Sequence, residues 1–160
     1  MLSDAAKGWD EDLPNDIKAK WGAMISELKE AGTVFFPRSV VLESTQEEKP
    51  IVLGFGDGST SGFAAVVYVV SKCPCEGHQV LPIIAKARVA PLTGTTTPRI
   101  EMSSAALLAK LSILVIKSVG FSPREVVMAL DSECSVAALK KRDGLLKPYF
   151  AHRRRRWRRP

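Results

Sequence analysis

Residues 55–70 read FGDGSTSGFAAVVYVV. An apolar run ends on Asp57, small residues follow, and a longer apolar run resumes at Phe63. The charge falls where the end of a β-strand is expected, and two readings compete for it. Asp57 before Gly58 suits a solvated turn. It also suits a metal-binding carboxylate at the centre of a sheet, and that reading gains weight only if other carboxylates fall at matching places along the chain.

On either side, alternation defines further elements. IVLGFGD (51–57) reads as a first strand and GFAAVVYVVS (62–71) as a second, joined by the tight GSTS. QVLPIIAKARVA (79–90) reads as a third, with Ile83, Ala85, Ala87 and Val89 facing one way and Lys86 and Arg88 the other. Pro82 suits an edge position. In TTTPRIEMSSAALLAKLSILVIKSVG, Thr97 is the expected N-cap, Pro98 the first helical residue and Gly120 the stop. Leu107, Leu108, Leu111, Leu114 and Val115 make one apolar stripe. EVVMALD (125–131) reads as a buried strand and SECSVAALKK (132–141) as a short helix capped by Ser132. The order β-β-β-α-β-α predicts an α/β fold: an antiparallel meander, then a right-handed crossover to a parallel fourth strand.

The N-terminal part is different. Residues 1–12 are polar, and from Pro14 the apolar positions Ile17, Trp21, Met24, Ile25 and Leu28 recur at helical spacing until Gly32. TVFFPRSVVL is extended and broken by Pro37, and ESTQEEKP (43–50) reads as a polar linker. The expected organisation is an N-terminal segment with one helix over 1–50, a main domain over 51–152 and a tail over 153–160.

The net charge of +6 belongs to that tail, because six arginines lie among residues 153–159 and without them 17 basic residues face 17 acidic ones. Such a run reads as a disordered polyanion-binding tail, or as the scar of a truncation or frameshift. No apolar run reaches the length of a membrane span and no secretory pattern opens the chain, so an intracellular setting, cytoplasmic or nuclear, is expected. The cysteines are Cys73, Cys75 and Cys134, an odd count that argues against a disulfide framework. Cys73, Cys75 and His78 make a partial zinc set whose spacing fits no common finger, and a hairpin connection is the preferred reading of CPCEGH.

Two further carboxylates match Asp57. Glu101 is expected in the first turn of the long helix, near the face that packs on the sheet. Asp131 closes the fourth strand at its carboxyl end, where ligands of open α/β sheets gather. If strand four lies beside strand one, all three converge, and their mutual repulsion calls for cations. Ligands that are all oxygen suit Mg²⁺ or Mn²⁺. Each residue also has a plainer role: Glu101 as a partner for the helix dipole, Asp57 in a turn, Asp131 at a helix start.

GDGS closing a first strand, TPRIEMSSAALLAKL opening a helix and ALDSECSVAALK after a fourth strand resemble the ribonuclease H domain. The match is closer to reverse-transcriptase polyproteins of BEL/Pao long-terminal-repeat retrotransposons. GWDEDLPNDIKAKW and FFPRSVV resemble the connection between polymerase and ribonuclease H there, and AKARVAPL before TPRIE resembles that group's third strand and helix start. The likeness covers about residues 8–152. It implies that Asp57, Glu101 and Asp131 hold two Mg²⁺ (or Mn²⁺) ions that hydrolyse the RNA strand of an RNA–DNA hybrid. It implies as partners that hybrid and the rest of a polymerase polyprotein. Ser59, Lys86, Arg88 and Arg99 become candidate nucleic-acid contacts, beside plain solvated roles for the three cations.

The family also carries a fourth carboxylate on a helix after a fifth strand. Here LKPYFAH leads into the arginines, with the fifth strand barely begun, and neither Glu133 nor Asp143 matches. The expectation is therefore a C-terminally truncated ribonuclease H-like domain with impaired cleavage. A non-catalytic nucleic-acid-binding module of the same fold is the alternative. An aspartic peptidase ranks below both, because Asp57 precedes Gly58 rather than Thr or Ser and a long helix interrupts the strands. Integrase-like chemistry would want its glutamate after Asp131.

Overall fold

Along the first strand, β1 (Ile51–Gly58), Val52, Gly54 and Gly56 are buried while Leu53, Phe55 and Asp57 face the other way. This two-residue period decides which side of the sheet each site residue takes. The computed structural model describes residues 11–35, 49–72, 77–91, 94–118, 122–141 and 148–152. It divides the chain into two compact units, residues 1–36 and 37–160.

The first unit holds α1 (Asn15–Ala31), which ends at Gly32 as its sequence predicts. None of its residues is buried, and Trp21, Met24 and Leu28 of the apolar stripe are exposed.

The second unit continues with β2 (Gly62–Lys72), β3 (His78–Val89), α2 (Thr97–Ser118), β4 (Glu125–Leu130) and α3 (Glu133–Lys140). The strands form one mixed sheet in the order β3-β2-β1-β4. β1 and β2 are antiparallel around a two-residue loop, Thr60 and Ser61, closed by paired backbone bonds between Ser59 and Gly62 at 2.7 and 3.3 Å. β4 lies parallel to β1, running from Ile51 opposite Glu125 to Gly56 opposite Leu130. The predicted meander followed by a parallel strand is the architecture found.

Across one face of the sheet lies α2. Its Leu107, Leu108, Leu111 and Val115 join Val52, Ala65, Val67 and Val69 in the main core. Gly54 and Gly56 of β1, facing Leu108 and the small Ser104 and Ser112, let the helix approach closely. The other side of α2 is covered too: Met102 and Ala105 pack with Ala138 of α3 and with Tyr149 and Phe150. The opposite face of the sheet carries Phe55 and Tyr68, edge to face with centroids 6.0 Å apart.

Several local expectations are corrected. The Thr96 carbonyl accepts from Arg99 and Ile100, so helical bonding starts one residue before the expected Thr97 cap, and Pro98 sits second. That position still needs no N–H partner. Glu101 is therefore the fifth helical residue, past the first turn. Leu114 is half exposed and leaves the stripe. In β3 the register shifts beside Val67, so Ile83 packs on the core together with Ile84 rather than sharing a side with Ala85. Pro82 lies at that irregularity on an edge strand, as its missing N–H requires. β4 is not a buried strand: it is the other edge, and Val126 and Val127 are more than a third exposed. Residues 148–152, read as the approach to a fifth strand, are a helical turn. Tyr149 and Phe150 find an apolar partner in α2, and that packing outweighs the extended reading.

The extended stretch and linker over 36–48, Cys73, Cys75 and the tail over 153–160 lie outside the described residues.

Candidate functional site

The parallel pairing of β1 with β4 places two of the carboxylates. Gly56 is the last β1 residue in register with β4, opposite Leu130; Asp57 is the next residue on β1 and Asp131 the first beyond β4. At the spacing of neighbouring strands, roughly 5 Å, the two stand next to one another at this end of the sheet. Both are exposed and both border a hollow of about 710 Å³ on the face away from α2. Its floor is small and apolar, including Ala64, Val66 and Ala129, with Lys86 at its margin. The Asp57 carboxylate accepts the N–H of Gly58.

Glu101 arrives from the other side. A Cβ on Gly58 would lie 3.0 Å from both the Glu101 nitrogen and the Ile100 carbonyl carbon. Only glycine lets the start of α2 sit this close to the end of β1. The Glu101 side chain is half buried, and its Oε2 accepts the hydroxyl of Ser132 at 2.6 Å. Ser132 immediately follows Asp131 and is the N-cap of α3, accepting the Ser135 N–H at 3.2 Å. All three carboxylates are thus at one end of the sheet, two side by side and the third one hydrogen bond from the neighbour of Asp131. Among the described residues, no three Asp, Glu, His or Cys side chains are arranged to hold one metal ion. The donor set itself is entirely carboxylate oxygen, the chemistry that Mg²⁺ and Mn²⁺ take.

The remaining candidates spread around this end. Ser59 closes the hairpin, its hydroxyl accepting the Ser61 N–H at 3.3 Å and lying 3.4 Å from the Gly62 carbonyl. It borders a second hollow with Asp57 and Arg88. Arg99 borders a third, which it shares with Arg88 but not with Lys86. His78 begins β3 and is exposed; Cys134 is an exposed free thiol.

Two participants are not legible as site residues in the sequence. Ser132 reads as a cap, but its hydroxyl donates a hydrogen bond to Glu101, a pairing across 31 residues that no local pattern signals. Tyr149 has its ring under the Arg99 guanidinium, 5.2 Å from it. The one hint of it is the aromatic pair Tyr149–Phe150.

Among the described residues no helix is long and apolar enough to cross a membrane. A family model described as Pao retrotransposon-like RNaseH-like domain matches residues 1–132. Comparison with curated proteins and with solved structures finds no match.

Proposed function

Because the chain belongs to the family of Pao retrotransposon-like RNaseH-like domains, we propose that it is a nuclease domain of a retroelement polymerase polyprotein, directed at the RNA strand of RNA–DNA hybrids inside the cell. The observation that carries this reading is the β1–β4 register, which sets Asp57 beside Asp131 with the helix of Glu101 packed against Gly58. Asp57 and Asp131 would hold a divalent cation between them, and Glu101, bonded to Ser132 in this structure, would join them only by turning from that serine. A magnesium or manganese ion held there would supply an activated water and charge neutralisation at the leaving 3′ oxygen.

The chain's own residues would do the positioning. The hollow beside the aspartates admits a phosphodiester, Lys86 and the Ser59 turn border its approach, and contact with a 2′-hydroxyl would select RNA. Cleavage by this chain alone is expected to be slow. Glu101 is engaged by Ser132, and fixing two ions about 4 Å apart takes more oxygen ligands than two aspartates provide. The same engagement of Glu101 favours the second reading, a hybrid-binding module without turnover. The peptidase reading has no support here, since the sheet contains a parallel pair and a 22-residue helix lies across it.

The test is metal-dependent cleavage of a labelled hybrid by the full chain, paired with a thermal melt. Slow cleavage that needs Mg²⁺ and disappears in Asp57→Asn, in a chain that melts cooperatively, supports the nuclease. Cleavage indifferent to Asp57→Asn or to chelation overturns it. A folded chain that binds hybrid but never cuts it is the binding module.

A further inference from the structure

The sheet ends differently on its two sides. At one edge, β3 contains Pro82, a shift of register beside Val67, and the cations Lys86 and Arg88. A missing N–H, a local irregularity and charged side chains each oppose pairing with another strand. At the other edge, β4 reads EVVMAL and has none of these. Its register with β1 runs unbroken from Glu125 to Leu130, and among the described residues no strand lies beyond it. Glu125 is exposed, and Val126 and Val127 are 38 % and 37 % exposed. The outer backbone groups of β4 are a template for one more strand.

The apolar run of β4 is complementary to itself. Two copies related by a two-fold axis bring their β4 strands together antiparallel. With the axis at Met128, Val126 faces Leu130, Val127 faces Ala129 and the two methionines face each other. Moving the axis to Val127 would set Glu125 against Ala129, and moving it to Ala129 would set Asp131 against Val127. The Met128 register alone matches apolar with apolar throughout. One step further out it sets Glu125 of each copy opposite Asp131 of the other.

Both carboxylates fall on the same side. Met128 and Leu130 pack against the core beneath α2, so Glu125, of the opposite parity, is on the face away from that helix. Asp131 borders the hollow of that face together with Asp57. Like charges directly opposite each other weaken a strand pair, and a cation between them reverses the sign. A hard divalent cation takes about six oxygens. Asp57 and Asp131 leave room for another carboxylate while Glu101 is bonded to Ser132.

We propose that β4 pairs with β4 of a second copy, and that Glu125 of each copy joins Asp57 and Asp131 of the other around a divalent cation. One two-fold pairing builds two such sites. Six residues a side are far fewer than the roughly 20–30 of a stable interface, so pairing without the cation is weak. The cation at Asp57 and Asp131 rests on the nuclease reading; the strand pairing does not.

Sedimentation velocity of the full chain, in Mg²⁺ or in EDTA at constant ionic strength, tests this. Mg²⁺ is expected to lower the dissociation constant of the dimer about tenfold. Glu125→Gln removes both like-charge pairs, so it should associate in EDTA about tenfold more tightly than wild type and lose most of its response to Mg²⁺. Val127→Lys sets a charge against Ala129 in the middle of the pairing and should stay monomeric in both buffers, with its Tm in EDTA unchanged. Glu125→Gln, at an exposed position, decides the matter should Val127→Lys melt early. No dimer in Mg²⁺, or a dimer kept by a folded Val127→Lys, overturns the pairing. A dimer indifferent to Mg²⁺, or a Mg²⁺ response kept in full by Glu125→Gln, overturns the shared site. Association is read without substrate, so failure of the nuclease reading is seen separately, in the hybrid-cleavage assay.

Discussion

Ser132 donates a hydrogen bond to Oε2 of Glu101 at 2.6 Å while accepting the Ser135 N–H at 3.2 Å. One hydroxyl thereby caps α3 and anchors a carboxylate of α2. Ser132→Ala removes both hydrogen bonds and should lower the unfolding free energy by about 2 kcal/mol, with Ser132→Thr retaining most of it. Urea melts with equal m values check this. A midpoint that does not move in the alanine variant would show that the hydroxyl contributes nothing.

Gly58 is where β1 meets the start of α2. In Gly58→Ala the new methyl would press on backbone atoms of Ile100 and Glu101, which cannot yield as a side-chain tip would. A loss of about 1–3 kcal/mol is expected. The same urea melts read it, and stability within error of wild type would mean that α2 shifts away freely.

Two leucines of the predicted stripe should behave differently. Leu108 is 1 % exposed and Leu114 is 50 % exposed. Leu108→Ala should cost about 2–5 kcal/mol, and Leu114→Ala less than about 0.5 kcal/mol. Equal losses would contradict the placement of α2 on the sheet.

Magnesium should stabilise the folded chain reversibly. At ten times its dissociation constant the gain is about 1.4 kcal/mol, seen as a higher Tm that falls back when EDTA is added. Asp57→Asn should abolish the response. Without metal it should raise the Tm slightly, because one of two neighbouring like charges is gone. A response to Mg²⁺ that survives in Asp57→Asn would place the ion elsewhere.

The arginines of residues 153–159 should dominate non-specific affinity, because the rest of the chain is balanced in charge. Deleting residues 153–160 should flatten the plot of log K against log salt by roughly 0.7–0.9 for each phosphate that the tail neutralises. An unchanged slope would assign binding to the folded surface instead.

The sequence by itself determined the elements and their order. Period-two alternation in 51–57 and 62–71, a long apolar stripe after Thr97 and a cap at Ser132 are local signals, and each element forms within a residue or two of its pattern. It also determined which carboxylates were worth following, since Asp57, Glu101 and Asp131 sit at or beside element ends, where side chains escape burial in a sheet. Structure and sequence part where a long-range interaction competes with a local preference. Leu114 obeys the stripe locally, but α2 packs on the sheet through Leu107, Leu108, Leu111 and Val115 and leaves it half exposed. β4 reads as buried because it is apolar, yet burial of a strand depends on neighbours, and at an edge they are missing. Pro148–His152 reads as extended, but the α2 surface offers Tyr149 and Phe150 a place to pack. Register was decided only in three dimensions: the parallel match of Gly56 with Leu130 is what puts Asp57 next to Asp131, and a slip of one residue would send the two to opposite faces. The partners of Glu101 and Arg99 were decided there as well. A hydrogen bond or a cation over a ring depends on distance in space, and sequence separations of 31 and 50 residues leave no periodic trace of it.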